Sequence, residues 1–506
     1  MLLALSFPKY GHPAVAFIAL TPLYIALSGW TGDARGCRGV STRRGFLLGL
    51  LTGFVHYMGT VYWTSATVAT FGGLSWVIAI PVAALLALYM ALFVAASSAA
   101  SAVLIRRFGA GGVMLAPATW VAAEYARAYL FGGFPWVPLG NAVVTLLPIA
   151  QLASLTGVYG LSWLLATVHA CFAITAISGG RRRVIAAATA VTLLTVTSVW
   201  GAARLGESRL THEGSAITVG LIQANIPQTE KWDPARATAI FERYLGMSRD
   251  AVAKGAQFVL WPESATPFYF DEDPVNADHL RRLVSELQTP LLFGTDEIER
   301  GDQSKYFNSA FMLDRAGATA AVYRKMYLVP FGEYVPFGWL LTFVGPLVDA
   351  VSAFSPGLRV TMMPVEGHMI STAICYEVVY PHLIREGVLR GSELLTTITN
   401  DAWYGETSAP FQHFELAAMR SIEQGRYLAR AANTGISGIV DPYGRVLART
   451  PLFETTTVIG QVRFIQERTV YATIGDLAAQ LAVLLTLVGL ALAKWKRPGG
   501  SRVARI

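Results

Sequence analysis

The chain has 506 residues, 53% of them hydrophobic and 14% charged, with a formal net charge of +7. Soluble domains carry about 25% charged residues, so the deficit, together with a mean hydropathy of +0.45, argues against an all-soluble protein and for a membrane protein. The positive balance does not point to nucleic acid, because much of it lies in short basic clusters between apolar runs, where it sets membrane orientation.

Residues 1–204 are mostly apolar, residues 213–468 carry most of the acids, and the remainder is apolar and then basic. The predicted fold class is a multi-span α-helical membrane bundle with a soluble α/β domain inserted before the last span. A span needs roughly 20 apolar residues. Candidates lie at 13–31, 43–66, 76–105, 112–131, 149–178, 184–204 and 474–494, followed by a basic tail over 495–506. The opening MLLALSFP is apolar but too short to cross. Arg35, Arg38, Arg43 and Arg44 lie between the first two candidates. Arg106 and Arg107 follow the third, Arg181, Arg182 and Arg183 the fifth, and Lys494, Lys496 and Arg497 the last. The alternate loops, near 67–75 and 132–146, carry no charge. The excess of cations marks the cytoplasmic side. The expectation is therefore cytoplasmic basic loops and C-terminus, with the soluble domain on the outer face. That topology starts the chain outside, unless MLLALSFP belongs to a further span.

Within the fourth candidate, Glu124 and Arg127 are three residues apart and can face each other on a helix. They read either as a structural ion pair or as groups facing an interior cavity. FGGFPWVPLGN (131–141) follows, with too many prolines and glycines for a regular helix. It is expected as a loop or re-entrant segment at the outer surface, with Gly133 inside it and Trp136 at headgroup level.

In the soluble part, apolar runs at 217–223, 257–261, 290–294, 308–313, 369–374 and 394–399 read as strands, and 235–253 and 411–432 as helices. The second helix is expected to end at Asn433 or Gly435. This alternation predicts an α/β or layered αββα domain. Residues 334–355 are nearly apolar enough to span, but Pro336, Gly338, Pro346 and Asp349 oppose it. They are expected as an apolar arm on the outer leaflet or as a core loop.

Three groups stand just past strands: Glu263 in VLWPESATPF, Lys325 in YRKMYLVPFGEYVP and Cys375 in STAICYE. Cysteine is scarce, with Cys37 and Cys171 the other two, so no disulfide framework is evident. Cys375 is open to two readings, a buried packing residue or a nucleophile at a strand end. The second makes coherent chemistry. A lysine favours the thiolate, a carboxylate accepts the thiol proton, and Lys325 with the Tyr376 N–H can stabilise an oxyanion. His413 is a weaker candidate for the base, because the sequence offers it no orienting partner.

These segments resemble the nitrilase superfamily. With spans on both sides, the chain is similar to the apolipoprotein N-acyltransferase family through NIPQTEKWDP (225–234), WPESATP, YLVPFGEYVPF, AICYE, TNDAWYG (399–405), FQHFELAAMRSIE and FGGFPW. The resemblance runs from about residue 43 to the end. It implies Glu263 as general base, Lys325 as oxyanion and thiolate partner, Cys375 as nucleophile and Glu333 as a second acid. It makes Trp232, Asn308, Tyr376 and Glu377 pocket residues, and Gly133 and Trp136 parts of the outer membrane loop. It implies a phospholipid acyl donor, commonly phosphatidylethanolamine, an S-diacylglyceryl apolipoprotein acceptor, a bilayer location in the bacterial inner membrane with a periplasmic catalytic domain, and no metal or nucleotide cofactor. The sequence departs from the family in its first span, which MLLALSFP represents at most. The triad alone leaves a membrane-tethered carbon–nitrogen hydrolase acting on a small amide as the alternative.

Overall fold

The computed structural model describes residues 1–32, 37–334 and 354–495. The apolar arm expected within 334–355 lies almost wholly outside the described residues.

Among the described residues, four helices are long and apolar enough to cross a membrane: Trp76–Phe108, Ala153–Ile177, Leu477–Lys494 and the helix beginning at Gly180, which ends at Glu207 before a short helical turn. Thr42–Thr60 and Trp63–Phe71 pass the same test only when taken together, as a broken span or a re-entrant pair bent by 55° at the break between them. The predicted span at 13–31 is not one helix. A 3₁₀ turn, Pro13–Phe17, precedes an eight-residue helix, Thr21–Ser28, which Gly29 ends in the left-handed conformation. Pro22 starts this helix afresh, since proline donates no backbone hydrogen bond and fits best in a first turn. Ala110–Tyr129 is long enough, but Gly111, Gly112, Glu124 and Arg127 dilute its apolar run, and it is not among the four.

The remainder folds as two six-stranded sheets. The first is ordered β12–β1–β2–β3–β4–β5, with β1 Ala216–Gln223, β2 Phe258–Leu260, β3 Leu291–Glu299, β4 Lys305–Leu313, β5 Thr319–Arg324 and β12 Thr456–Arg463. The second is ordered β11–β10–β9–β8–β7–β6, with β6 Met363–Val365, β7 His368–Ile374, β8 Leu394–Thr399, β9 Leu428–Ala432, β10 Gly438–Val440 and β11 Val446–Arg449. Side chains of both sheets, including Val219, Leu260, Met312, Ile374 and Ile398, share one core. Helices Pro234–Ala253 and Pro274–Leu287 cover the first sheet. Helices Pro381–Leu389 and Ala409–Gln424 cover the second and pack against the membrane bundle in a single continuous core. The result is the layered αββα arrangement, with one helix layer facing the membrane half.

Helix Ala409–Gln424 stops eight residues before the expected end at 432. Gly425 adopts φ +63 and caps it, and Leu428–Ala432 is a central strand, parallel to β8. LARAA reads as a helix tail because alanine and arginine favour helices. Burial between two neighbouring strands overrides that preference.

Candidate active site

Strands β1, β2 and β3 run parallel, as do β7, β8 and β9. β5 returns to the direction of β3 through antiparallel β4. The carboxyl ends of β2, β5, β7 and β8 therefore lie at one end of the sandwich, and they release Glu263, Lys325, Cys375 and Asn400. All four are buried. Cys375 carries φ +53, a left-handed backbone unusual for a side-chain-bearing residue, which costs roughly 1–2 kcal/mol and turns the chain sharply off the strand.

Lys325 Nζ bonds Glu263 Oε1 at 3.2 Å and Glu333 Oε1 at 2.8 Å. Asn308 Nδ2 donates to the same two oxygens, at 2.8 Å each. Asn400 N–H donates to Glu263 Oε2 at 2.9 Å, and Val329 N–H holds Glu333 Oε2 at 2.7 Å. Burial alone would raise the Glu263 carboxyl, but Lys325, Asn308, Lys231 and the Asn400 amide outweigh it, so it lies below the ordinary range. Burial opposes the Lys325 ammonium, yet Glu333, Glu263 and Cys375 hold it well above its usual value.

The thiol departs from expectation. Burial pushes the Cys375 thiol up and the Glu263 charge pushes it further, while Lys325 and the Thr399 hydroxyl only partly oppose them. The resting group is a neutral thiol beside a carboxylate, not a thiolate made by lysine alone.

Glu377 is fully buried. Its Oε1 accepts from the Tyr323 hydroxyl (2.7 Å), Met326 N–H (2.7 Å) and Tyr327 N–H (3.1 Å), and its Oε2 from Ile374 N–H (2.8 Å). It thus clamps the Cys375 turn to the segment after Lys325. Trp232, by contrast, is 47% exposed. Its neighbour Lys231, which the sequence reading passed over, is buried and donates to the Glu263 carbonyl at 3.1 Å. Asp296, opposite Asn308 in the β3–β4 ladder, accepts from Ser264 at 2.8 Å, and burial pushes it up to about 6.

His413 has the orienting partners that the sequence did not reveal. Arg430 Nη2 lies 3.0 Å from both Asp401 Oδ2 and His413 Nδ1, and Asp401 Oδ1 is 3.0 Å from the same ring nitrogen. Burial and Arg430 push the imidazole down. Nε2 faces the Cys375 carbonyl at 3.1 Å, and because a carbonyl only accepts, that nitrogen is the donor of the contact. His413 braces the backbone of Cys375, not its sulfur.

The membrane half supplies the wall behind this turn. Tyr376 and Tyr380 hydroxyls donate to the Gly133 carbonyl at 3.3 and 3.1 Å. Gly133 has φ +74, and a Cβ there would sit 2.1 Å from the Ala128 carbonyl oxygen. Trp136, expected at headgroup level, is enclosed by protein. It is fully buried, its Nε1 donates to Gln412 at 2.7 Å, and its ring packs on Trp63, Tyr376 and His413. Glu124 and Arg127 cause this. Arg127 Nη1 donates to the Phe134 and Trp136 carbonyls at 2.8 and 2.7 Å. Glu124 Oε1 accepts from Trp120 Nε1 at 2.9 Å and Leu139 N–H at 2.8 Å. Both charges serve the loop's backbone and one indole, and no direct ion pair joins them among the described contacts. Of the other cysteines, Cys171 is buried within its helix, and the Cys37 thiol lies 3.6 Å from the Ser28 carbonyl.

The two-sheet sandwich with these groups at its strand ends defines a carbon–nitrogen hydrolase domain, and the carbon-nitrogen hydrolase family model matches residues 218–470. The model of the apolipoprotein N-acyltransferase N-terminal domain matches residues 1–171. An apolipoprotein N-acyltransferase of Geobacter metallireducens is 39% identical, over 97% of this chain and 93% of its own. Those of Shewanella oneidensis and Methylococcus capsulatus are each 31% identical, over 94% and 100% of this chain and 90% and 96% of theirs. The chain belongs to the apolipoprotein N-acyltransferase family. Relatives bearing that name match both halves, which disfavours a tethered amidase. Among solved structures, an amidase from Nesterenkonia sp. is similar at 22% identity and a TM-score of 0.39, covering 51% of this chain and 94% of its own.

Proposed function

We propose that Glu263, Lys325 and Cys375 are the catalytic triad of a two-step acyl transfer. The Cys375 sulfur attacks the sn-1 acyl carbonyl of a phospholipid, phosphatidylethanolamine being the expected donor. Glu263 takes the thiol proton as the carbon–sulfur bond forms. Lys325 and the Tyr376 N–H stabilise the oxyanion. Collapse breaks the ester C–O bond, and Glu263 returns the proton to the departing lysophospholipid. The α-amine of an S-diacylglyceryl-cysteine on an apolipoprotein then attacks the thioester. Glu263 takes a proton from nitrogen and gives it to the departing Cys375 sulfur, which regenerates the resting thiol.

The observation that supports this reading is the buried cluster at the strand ends, with Lys325 Nζ on both Glu263 Oε1 and Glu333 Oε1 and Cys375 buried at the neighbouring strand end. Proton transfer to Glu263 can then accompany attack. Glu333 fixes Lys325, Asn308 bridges the two acids, Glu377 sets the turn, and Trp232 is an exposed aromatic next to the buried Lys231. By the distribution of basic clusters, residues 1–204 form the membrane bundle, 213–468 a periplasmic catalytic domain, 474–494 the last span and 495–506 a cytoplasmic tail, in the bacterial inner membrane.

Incubation with phospholipid alone tests the chemistry. A hydroxylamine-labile acyl adduct should accumulate on Cys375, by intact mass and peptide mapping, and disappear when apolipoprotein is added. Cys375→Ala and Cys375→Ser should lack it, and Glu263→Gln should form it slowly. Acyl transfer by the alanine variant would refute the covalent route.

A further inference from the structure

At the opposite end of the sandwich from Cys375 lies a second polar cavity. β10 runs antiparallel to β9, so Tyr443, which follows β10, sits where β7, β8 and β9 begin, not where they end. A cavity of about 280 Å³ opens there, lined by Arg204, Glu207, Arg209, Tyr443, Glu467 and Arg468, among others. One apolar helix ends at its rim, and the chain that lines its far side leads, after Thr469 and a short helix, into another. Gly180–Glu207 arrives with Val191, Val196 and Val199 exposed, and Leu477–Lys494 departs with Leu477, Leu481 and Leu484 exposed. Arginines where an apolar helix surface ends sit at headgroup depth.

The cations in this cavity are unequally occupied. Arg209 is paired with Glu467 and, at 3.4 Å, with Glu213. Arg468 Nη2 donates to the Leu389 carbonyl at 3.0 Å. Arg204 lies over the Tyr443 ring, its guanidinium carbon 5.2 Å from the centroid, and its Nε is buried with no hydrogen-bond partner. An arginine placed over an aromatic ring with a buried donor unfilled is prepared for an oxyanion. Glu207 and Glu467 beside it suit a neighbouring cation.

We propose that this cavity binds the zwitterionic headgroup of a phospholipid, phosphate on Arg204 and Arg468 and ammonium on Glu207 and Glu467. Such a lipid would be retained where the helix Gly180–Glu207 meets the catalytic domain, apart from the donor consumed at Cys375. The inference rests on the membrane placement proposed above, which the topology reporters described below test separately.

The experiment uses the full chain carrying Cys375→Ala, so that no lipid is consumed, in bilayers of equal parts phosphatidylethanolamine and phosphatidylglycerol. Native mass spectrometry counts the lipids retained on release. Adding Arg204→Gln and Arg468→Gln should remove one phosphatidylethanolamine. Adding Glu207→Gln and Glu467→Gln instead should shift the retained lipid toward phosphatidylglycerol by on the order of tenfold, as expected for lost charge-assisted hydrogen bonds. With Cys375 restored, all these variants should form the acyl adduct at the parental rate, which also reports correct folding. Arg468→Gln alone serves if the paired substitution does not fold. An unchanged lipid count in the arginine variants, or an unchanged preference in the glutamate variants, overturns the assignment. Displacement of the lipid by millimolar glycerophosphoethanolamine would make this a site for soluble phosphate esters and overturn it equally.

Discussion

At the residue scale, the neutral thiol decides how the proposed chemistry responds to pH. Glu263 is held below the ordinary carboxylate range and Lys325 well above the ordinary ammonium range. Glu263 therefore stays ionised until the pH falls beneath its depressed value, and Lys325 stays charged throughout. The initial rate of adduct formation should be flat between about pH 5.5 and 8.5. A reaction requiring preformed thiolate would instead rise about tenfold per pH unit over that window. Transfer to the acceptor should behave differently. An α-amine has a pKa near 7.7–8.0, so that half-reaction should slow by about tenfold per unit well below it. Stopped-time intact-mass measurements of the two steps separate them. Lys325→Arg should cut adduct formation on the order of 100-fold or more with expression retained. The planar guanidinium cannot take the place of a point donor set between Glu263 and Glu333, and near-parental turnover would contradict the role given to Lys325.

At the scale of single elements, the loop after Ala110–Tyr129 is the one most exposed to substitution. Gly133→Ala adds a Cβ 2.1 Å from a backbone oxygen and a left-handed φ. The expected cost is about 2–4 kcal/mol, read as a lower Tm in detergent, with slower adduct formation because the Tyr376 and Tyr380 hydroxyls lose their acceptor. An unchanged Tm would show that the loop relaxes freely. This loop also marks how far the sequence could be read. Its glycines and prolines announced an irregular segment, and Glu263, Lys325 and Cys375 each stood after an apolar run, so their location was legible. The burial of Trp136 was not, because it depends on Glu124 and Arg127 hydrogen-bonding carbonyls and amides that no side-chain pattern encodes. Likewise the Arg430–Asp401–His413 brace joins three segments, one of them the strand disguised as the tail of a helix. Lys231 was hidden by the louder Trp232 beside it, although the lysine is the one that turns inward.

At the scale of the whole molecule, orientation follows from the charge distribution. Reporter fusions after Arg107 and Arg497 should read cytoplasmic, and one after Glu213 should read external. A cytoplasmic reading at Glu213 would invert the proposed topology. At the same scale, the two halves share one hydrophobic core. Helix Ala409–Gln424 shares its core with the membrane bundle, and the Cys375 turn hangs by two tyrosine hydroxyls on a carbonyl from the bundle side. Burial of this kind sets the boundary at which parts can be exchanged. A chimera cut at residue 204 would set a foreign loop against the tyrosines of this catalytic domain and the Gln412 that receives Trp136. For recombination between relatives, the unit of inheritance is the catalytic domain together with residues 131–141, two pieces of chain separated by two long helices and a short one that must nonetheless travel as one.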